Sequence, residues 1–492
     1  MQPRRLVLRR FSRDCEPRTG HEDGLKYIST RGTAPVLDFS DALLAGLARD
    51  GGLYVPESWP RMEAADIRAL AGLPYAEAAF RIIRPFVGDA IKEDVLHDII
   101  TGTYAGFDHA ATAPLKQLAP NLWLMELFHG PTLAFKDYAM QLLGNLFNHV
   151  LSTSGRHVTI VGATSGDTGS AAIEACKDRD AIEVFILYPH GRVSEVQRRQ
   201  MTTVAAANVH AFAVEGTFDD CQAIVKALFN DIPFRDEITM SGVNSINWAR
   251  ILGQVVYYFV AGAALGAPDR AMTFAVPTGN FGNVYAGYVA SQMGLPVERL
   301  VLATNANDIL FRMLEKGLMQ RGDVTPSLSP SMDIQVASNF ERYLFDLLGR
   351  DGSRVAQQMA AFADTGELQL ADALWHKAQG VFAPFRLDDA GTIREIRDTL
   401  AATGEVLDPH SAIGVAAARA HLGDGSSPVV SLATAHPAKF PDAVKQATGH
   451  VPELPPHMAD LYSREENFDV IANDTTAVKD AIRARLAQGG RA

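Results

Sequence analysis

Lys136 lies in the stretch MELFHGPTLAFKDYAMQLLGNLF, flanked by Phe135 and Asp137. Taken alone, a lysine beside an aspartate reads as a surface ion pair. Among apolar neighbours it loses hydration, its pKa falls, and the neutral amine can attack an aldehyde and later carry protons. Thr132 reads as the start of a helix that holds Lys136 in its first turns.

Two glycine-rich loops offer places for anions. GATSGDTGSAA, from Gly162 to Ala172, falls between a predicted strand and a predicted helix, and its Thr164, Ser165, Gly166, Asp167 and Thr168 join a permissive backbone to hydroxyls. Alone it suits a nucleotide, a phosphate, a carboxylate or merely a turn, and it lacks the GxxxxGK[ST] spacing of a nucleotide P-loop. In VPTGNFGNVYAG, Gly279, Asn280, Phe281, Gly282 and Asn283 form a five-residue turn ahead of a helix, where successive amides can hold a phosphate.

Two further groups follow. VNSINWAR supplies Asn244, Ser245 and Arg250, two neutral donors and a fixed charge suited to a phosphate dianion; a helix cap with a surface ion pair is the plainer alternative. Thr434, in SLATAHPAKF, ends a β-rich run, where open α/β sheets place ligands, although a threonine there is structural by default.

The elements that must position these residues are legible as a pattern. VTIVGA, IEVFILYP, VHAFAVEG, MTFAVP, RLVLATN and PVVSLATAHP are apolar, β-rich runs separated by helical stretches, as in largely parallel sheets covered on both faces by helices. PAKFPDAVKQAT reads as a helix near the end of that region. From Leu25 to about Gly102 the pattern is mostly helical; in DFSDALLAGLA, Ser40 reads as the N-cap and Asp50, Gly51 and Gly52 as the stop. The expected class is α/β, with a mostly helical N-terminal domain at 25–102 and a catalytic region at 103–492 made of a smaller and a larger α/β domain. Residues 1–24, rich in arginine and without an apolar h-region, are expected to be a disordered extension, with a transit peptide as the alternative.

Composition excludes several classes. A chain of 492 residues, 47% hydrophobic, can bury more than one core. Its 57 acidic residues against 45 Lys and Arg leave a net charge of −12, which argues against nucleic acid or an anionic membrane as partner. Cys15, Cys176 and Cys221 have neither metal-ligand spacing nor a disulfide framework, as expected in a reducing cytoplasm. ILGQVVYYFVAGAALGA, interrupted by Gln254 and glycines, falls short of the roughly 20 apolar residues of a membrane span and reads as a buried helix.

Taken together, LKYISTRG, DGGLYVPE, FHGPTLAFKD, GATSGDTGSAA, ILYPHGRVS, VNSINWARI, PTGNFGNVYAGY, LSPSMDIQVASNFER and TAHPAKFP resemble threonine synthase from Leu25 to about Lys445, closest to the longer enzymes of fungi and many bacteria. The resemblance implies the tryptophan synthase β-like fold of pyridoxal-phosphate enzymes and a lyase acting on phosphates. It makes Lys136 the residue bonded to pyridoxal 5'-phosphate and residues 279–283 the cradle of the cofactor phosphate. Thr434 would face the pyridine nitrogen, Thr164 to Thr168 would bind the substrate carboxylate, and Asn244, Ser245 and Arg250 the substrate phosphate. Cysteine-synthase relatives carry Asn where Asp167 stands, and a carboxylate beside an anionic substrate needs a further donor nearby.

The implied reaction turns O-phospho-L-homoserine and water into L-threonine and phosphate, by a monomer or homodimer in the cytoplasm. A phospho-lyase releasing 2-oxobutyrate from the same scaffold, or a binding protein without catalysis, are the alternatives.

Overall fold

The structure, a computed structural model, describes residues 24–242, 245–423 and 427–489; the expected N-terminal extension up to residue 23 and Asn244 lie outside them. The apolar runs form two sheets. Val158–Ala163, Ile182–Pro189 and Val209–Val214, with Met240–Ser241 and Asp469–Ile471 at the two edges, make a five-stranded parallel sheet. Every residue of Ile182–Pro189 is buried, as a strand covered on both faces by helices requires.

The second sheet has six strands, in the order Phe382–Arg386, Val297–Thr304, Met272–Pro277, Val429–Ala433, Leu122–Glu126 and Leu115–Ala119. All pairings are parallel except that of the last two, which form an antiparallel edge. The chain leaves this sheet after Leu122–Glu126, builds most of the five-stranded sheet, returns for Met272–Pro277, and lays Asp469–Ile471 on the five-stranded edge. Loops from the C-terminal ends of strands in both sheets therefore meet, which is where open α/β sheets hold ligands.

Two close helix crossings orient the helix Lys136–Ser154. A Cβ on Gly144 would strike the Ala175 carbonyl, and one on Gly253 would lie 2.8 Å from Ala139 Cα. Gly253 belongs to Trp248–Ala264, which the greasy ILGQVVYYFVAGAALGA stretch largely forms and which is buried over nearly its whole length. Among the described residues no helix is long and apolar enough to cross a membrane.

Residues 25–105 pair Tyr27–Ser29 with Tyr54–Pro56 and then supply the helices Ala64–Arg68, Tyr75–Val87 and Glu93–Ala105. Here two expectations are corrected. The helix Phe39–Ala45 is capped by Asp38, whose side chain accepts from Asp41 N–H, and it ends at Gly46; Ser40 lies inside its first turn. Asp50 is no helix stop. Its carboxylate accepts from Ser29 Oγ (2.8 Å), Ala34 N–H (2.9 Å) and Gly52 N–H (2.9 Å), tying LKYISTRG to DGGLYVPE. PAKFPDAVKQAT is likewise split, into a 3-10 turn Pro437–Lys439 and a helix Pro441–Thr448.

Candidate active site

Lys136 is the first residue of its helix, so the expectation that Thr132 starts it is corrected. Thr132 instead donates its N–H (2.8 Å) and hydroxyl (2.7 Å) to Asp137, which folds the preceding turn back over the helix end. Asp137 is thereby occupied and does not pair with Lys136. Phe135 N–H donates to Thr434 C=O (2.9 Å) and His436 N–H to Leu133 C=O (3.0 Å), so the segments carrying Lys136 and Thr434 are stitched side by side.

Lys136 Nζ, on a side chain packed inside the protein, lies 3.2 Å from Asp167 Oδ2 and 3.2 Å from Ser331 Oγ. Burial pulls its pKa down, Asp167 opposes that, and the positive charges of Lys439 and Arg250 add to the fall. Asp167 is held from four sides: Lys136, Lys439 Nζ (3.1 Å), Gln197 Nε2 (2.9 Å) and Ser331 Oγ (3.1 Å). Burial pushes its carboxyl up, but the two lysines, with Gln197, outweigh it and keep it well below the usual carboxylate range.

Lys439 is wholly buried, and Thr132 C=O (2.6 Å), Gln200 Oε1 (2.8 Å) and Asp167 Oδ1 (3.1 Å) take up its three N–H donors. Among the described residues Lys136 Nζ has two hydrogen-bond partners, Asp167 and Ser331, for its three donors. Of the two lysines on one carboxylate, Lys136 is thus the one whose donors are not all taken by the described residues.

Asp408 organises the opposite side. As N-cap of the helix Pro409–Ala420 it accepts from His410 Nδ1 (2.7 Å) and from the Ser411 hydroxyl. His410 Nε2 in turn accepts Ser331 N–H (3.2 Å), and Ser411 Oγ accepts Thr434 N–H (3.0 Å). One buried carboxylate therefore sets both Ser331 and Thr434.

The loop after Met272–Pro277 turns tightly. Phe281 adopts φ 64°, in the left-handed region, and its ring packs with Phe340, Tyr343 and Phe382, so the side chain is core and only the backbone serves the loop. Helix Gly282–Gln292 follows at once, placing Gly282 and Asn283 in its first turn. Asn280 Oδ1 accepts Ser338 N–H (2.7 Å), while its amide donates to Ser245 Oγ. Asn339 donates to Ser245 C=O (3.1 Å), so Ser245 is joined directly to this loop.

In the loop after Val158–Ala163, Thr164 Oγ1 accepts Gly166 N–H (3.0 Å) and Gly169 N–H (2.8 Å) and is spent on scaffolding. Gly166, at φ 137° and pressed on Gln197, admits no side chain. Ser165 and Thr168 follow the same turn, and their side chains remain partly accessible. Arg250 is 4% exposed in the first turn of Trp248–Ala264. Burial lowers its pKa to about 10, so it stays cationic at neutral pH, and its charge is felt at Lys136.

Residues 26–104 match the profile "Threonine synthase N terminus", 109–384 "Pyridoxal-phosphate dependent enzyme", and 411–482 "Threonine synthase, C-terminal". Threonine synthase of Pseudomonas aeruginosa is 54% identical over 456 residues, 92% of this chain and 97% of that protein. The chain belongs to the threonine synthase family. Among solved structures, PLP-bound threonine synthase from Brucella melitensis superposes with a TM-score of 0.91 at 52% identity, over 94% of this chain and 99% of that one. Yeast threonine synthase does so at 0.89 and 39%, with the same coverage. The α/β fold of pyridoxal-phosphate enzymes expected from the sequence is borne out, and so is the cofactor.

The residues of this chain fit pyridoxal phosphate. Asn283 accepts hydroxyl donations from Tyr257 (2.6 Å) and Tyr258 (2.9 Å), yet its buried Nδ2 has no partner among the described residues. An unmet buried donor costs about 1–3 kcal/mol, and an anion at the loop would remove that cost. A Cβ on Gly279 would lie 3.0 Å from Met332 Cα and 3.1 Å from Ser331 C=O, so the loop and the Ser331 segment close on one space that only glycine leaves open.

Sequence reasoning missed Lys439, Gln197, Gln200, Ser331, Asp408 and His410. Lys439 and Ser331 stood inside recognised segments, TAHPAKFP and LSPSMDIQVASNFER, but the side chains and carbonyl they meet at Lys136, Thr132 and Gln200 are 195 or more residues away. Asp408 had a local signal: an aspartate directly before a proline-led helix is an N-cap pattern.

Proposed function

We propose that the enzyme converts O-phospho-L-homoserine and water into L-threonine and inorganic phosphate, with Lys136 carrying the protons. The observation that supports this reading is a pair of anion sites on one lysine: the 279–283 loop with the unmet Asn283 donor, and buried Arg250, whose charge reaches Lys136. One suits the cofactor phosphate and the other a phosphate ester on the substrate.

Bound pyridoxal phosphate, held by Lys136 and the backbone of 279–283, supplies the electron sink that stabilises negative charge developing on substrate carbons. Lys136 Nζ, with a pKa lowered by burial, takes the proton from Cα and serves as the acid and base for the later transfers at Cβ and Cγ. Asp167 and Ser331 orient that nitrogen. Ser165 and Thr168 bind the substrate carboxylate. Asn244, Ser245 and Arg250 grip the phosphate through charge-assisted hydrogen bonds as it leaves, and keep it beside the carbon that water attacks. Thr434 offers the pyridine nitrogen a hydroxyl, which does not hold a proton there as a carboxylate would.

The test is to supply O-phospho-L-homoserine and quantify threonine, 2-oxobutyrate and phosphate. Threonine equal to phosphate is the expected result, whereas 2-oxobutyrate as the main product would assign a phospho-lyase instead. Lys136→Ala should abolish both turnover and the visible absorbance of the bonded cofactor.

A further inference from the structure

We propose that Lys439 is a positioning residue for the reaction: it neutralises Asp167 from the side opposite Lys136, so that Lys136 can shed its proton while still oriented by the carboxylate. The inference rests on the reading of Lys136 as the proton carrier and adds the group that tunes it.

The geometry makes the case. Lys136 approaches Asp167 Oδ2 and Lys439 approaches Oδ1, so one carboxylate separates two amines. Lys439 cannot turn to substrate, because Thr132 C=O, Gln200 Oε1 and Asp167 absorb its three donors. An Asp167 facing Lys136 alone would lock it as an ammonium, since an opposite charge at this distance raises an amine pKa by about 1–3 units. A base must be neutral to work.

Asp167 nevertheless remains ionised and able to orient Lys136, because Lys439, Gln197 and Ser331 satisfy it. This supplies the donor that a carboxylate at the position needs.

The other groups facing the pair are known. Arg250, from the helix Trp248–Ala264, acts on Lys136 in the same sense as Lys439. His410, backed by Asp408, approaches Asp167 from the helix Pro409–Ala420. Asp137, next to Lys136 on its own helix, is tied to Thr132, and Gln197 and Gln200 on Glu195–Thr202 are uncharged. Among these, Lys439 is the cation bound directly to Asp167 besides Lys136 itself.

Lys439 also anchors Thr132 C=O, so a purely structural role must be distinguished. Two readouts on the holoenzyme do so: the midpoint of the pH titration of the visible absorbance, which needs no substrate, and the acid limb of kcat against pH. Lys439→Met should move both upward by about 1 pH unit or more. Lys439→Arg should stay near the parent. The double variant Lys439→Met/Asp167→Asn, having lost both charges, should return toward the parent midpoint.

A Lys439→Met enzyme that loses activity equally at every pH, with its spectral midpoint unmoved, would overturn the proposal. Should that variant not fold, Asp167→Asn is compared with the double variant: its midpoint should be the lower of the two, and coincidence of the two would overturn the proposal. If threonine formation failed in the parent while the spectral midpoints moved as expected, the substrate reading would fall and the role of Lys439 toward Lys136 would stand.

Discussion

A guanidinium in the first turn of a helix is ordinarily solvated, but Arg250 is enclosed, and burial lowers its pKa to about 10. A guanidinium held there as a fixed charge is suited to a phosphate dianion, which it can meet with charge-assisted hydrogen bonds. Arg250→Gln should therefore raise the KM for O-phospho-L-homoserine by about 10–100-fold, from the roughly 1.5–3 kcal/mol of a charged hydrogen bond, with the visible cofactor absorbance retained. Steady-state kinetics checks this, and an unchanged KM would remove Arg250 from the substrate site. Lys136 shows the same physics with the opposite use. Its burial makes a neutral amine accessible, whereas Arg250 remains a fixed charge because a guanidinium starts from a far higher pKa.

Among the elements, the helix Lys136–Ser154 must be held to within a fraction of an ångström for its first residue to meet Asp167. Glycine contacts provide this. At Gly144 the Ala175 carbonyl occupies the place of a Cβ, so the helices Lys136–Ser154 and Asp167–Cys176 cross at backbone distance. Gly144→Ala must push them apart, and overpacking of this kind costs about 1–3 kcal/mol. The expected outcome is a lower thermal midpoint by calorimetry and faster loss of the cofactor in dialysis, since Lys136 and Asp167 stand on the two displaced helices. The cap assignments belong to this scale as well. Ser40 and Thr132 both have acceptable capping chemistry, but Asp38 precedes the first buried position of its helix, and Asp137 draws Thr132 into a turn.

For the whole molecule, two neighbouring residues of one helix, Phe340–Leu347, are among those that fasten the N-terminal segment to the rest of the chain. Glu341 accepts from Thr30 Oγ1 (2.7 Å), Arg31 Nε (3.1 Å) and Arg31 Nη2 (3.0 Å), and it is buried. Arg342, also buried, donates to Tyr54 C=O (3.2 Å) and to Ile246 C=O. The fastening thus ends on the segment that leads into Arg250. Glu341→Gln replaces one acceptor oxygen by a donor facing Arg31, and should destabilise the fold by about 1–3 kcal/mol. A urea unfolding curve should show its midpoint falling, and an unchanged midpoint would mean that the Glu341 contacts contribute nothing to stability.

The sequence by itself determined the parallel α/β class, because strands covered on both faces must be largely apolar without alternation, as Ile182–Pro189 apart from Glu183 and Met272–Pro277 apart from Thr273 are. It also marked out Lys136 and the two glycine-rich loops as candidates, because glycines and hydroxyls close together in the chain, and a lysine among apolar neighbours, suggest their chemistry locally. Only the tertiary structure decided which groups surround Lys136. Asp167, Ser331 and Lys439 come from segments 31, 195 and more than 300 residues away, and no local pattern reports a contact across that distance. It also decided that the Phe281 side chain is core, and that Asp137 belongs to Thr132 instead of Lys136. The physical reason is shared. Periodicity and turn chemistry are properties of neighbouring residues, whereas the pairing of buried charges is settled by which charged groups the packed sheets bring to one place.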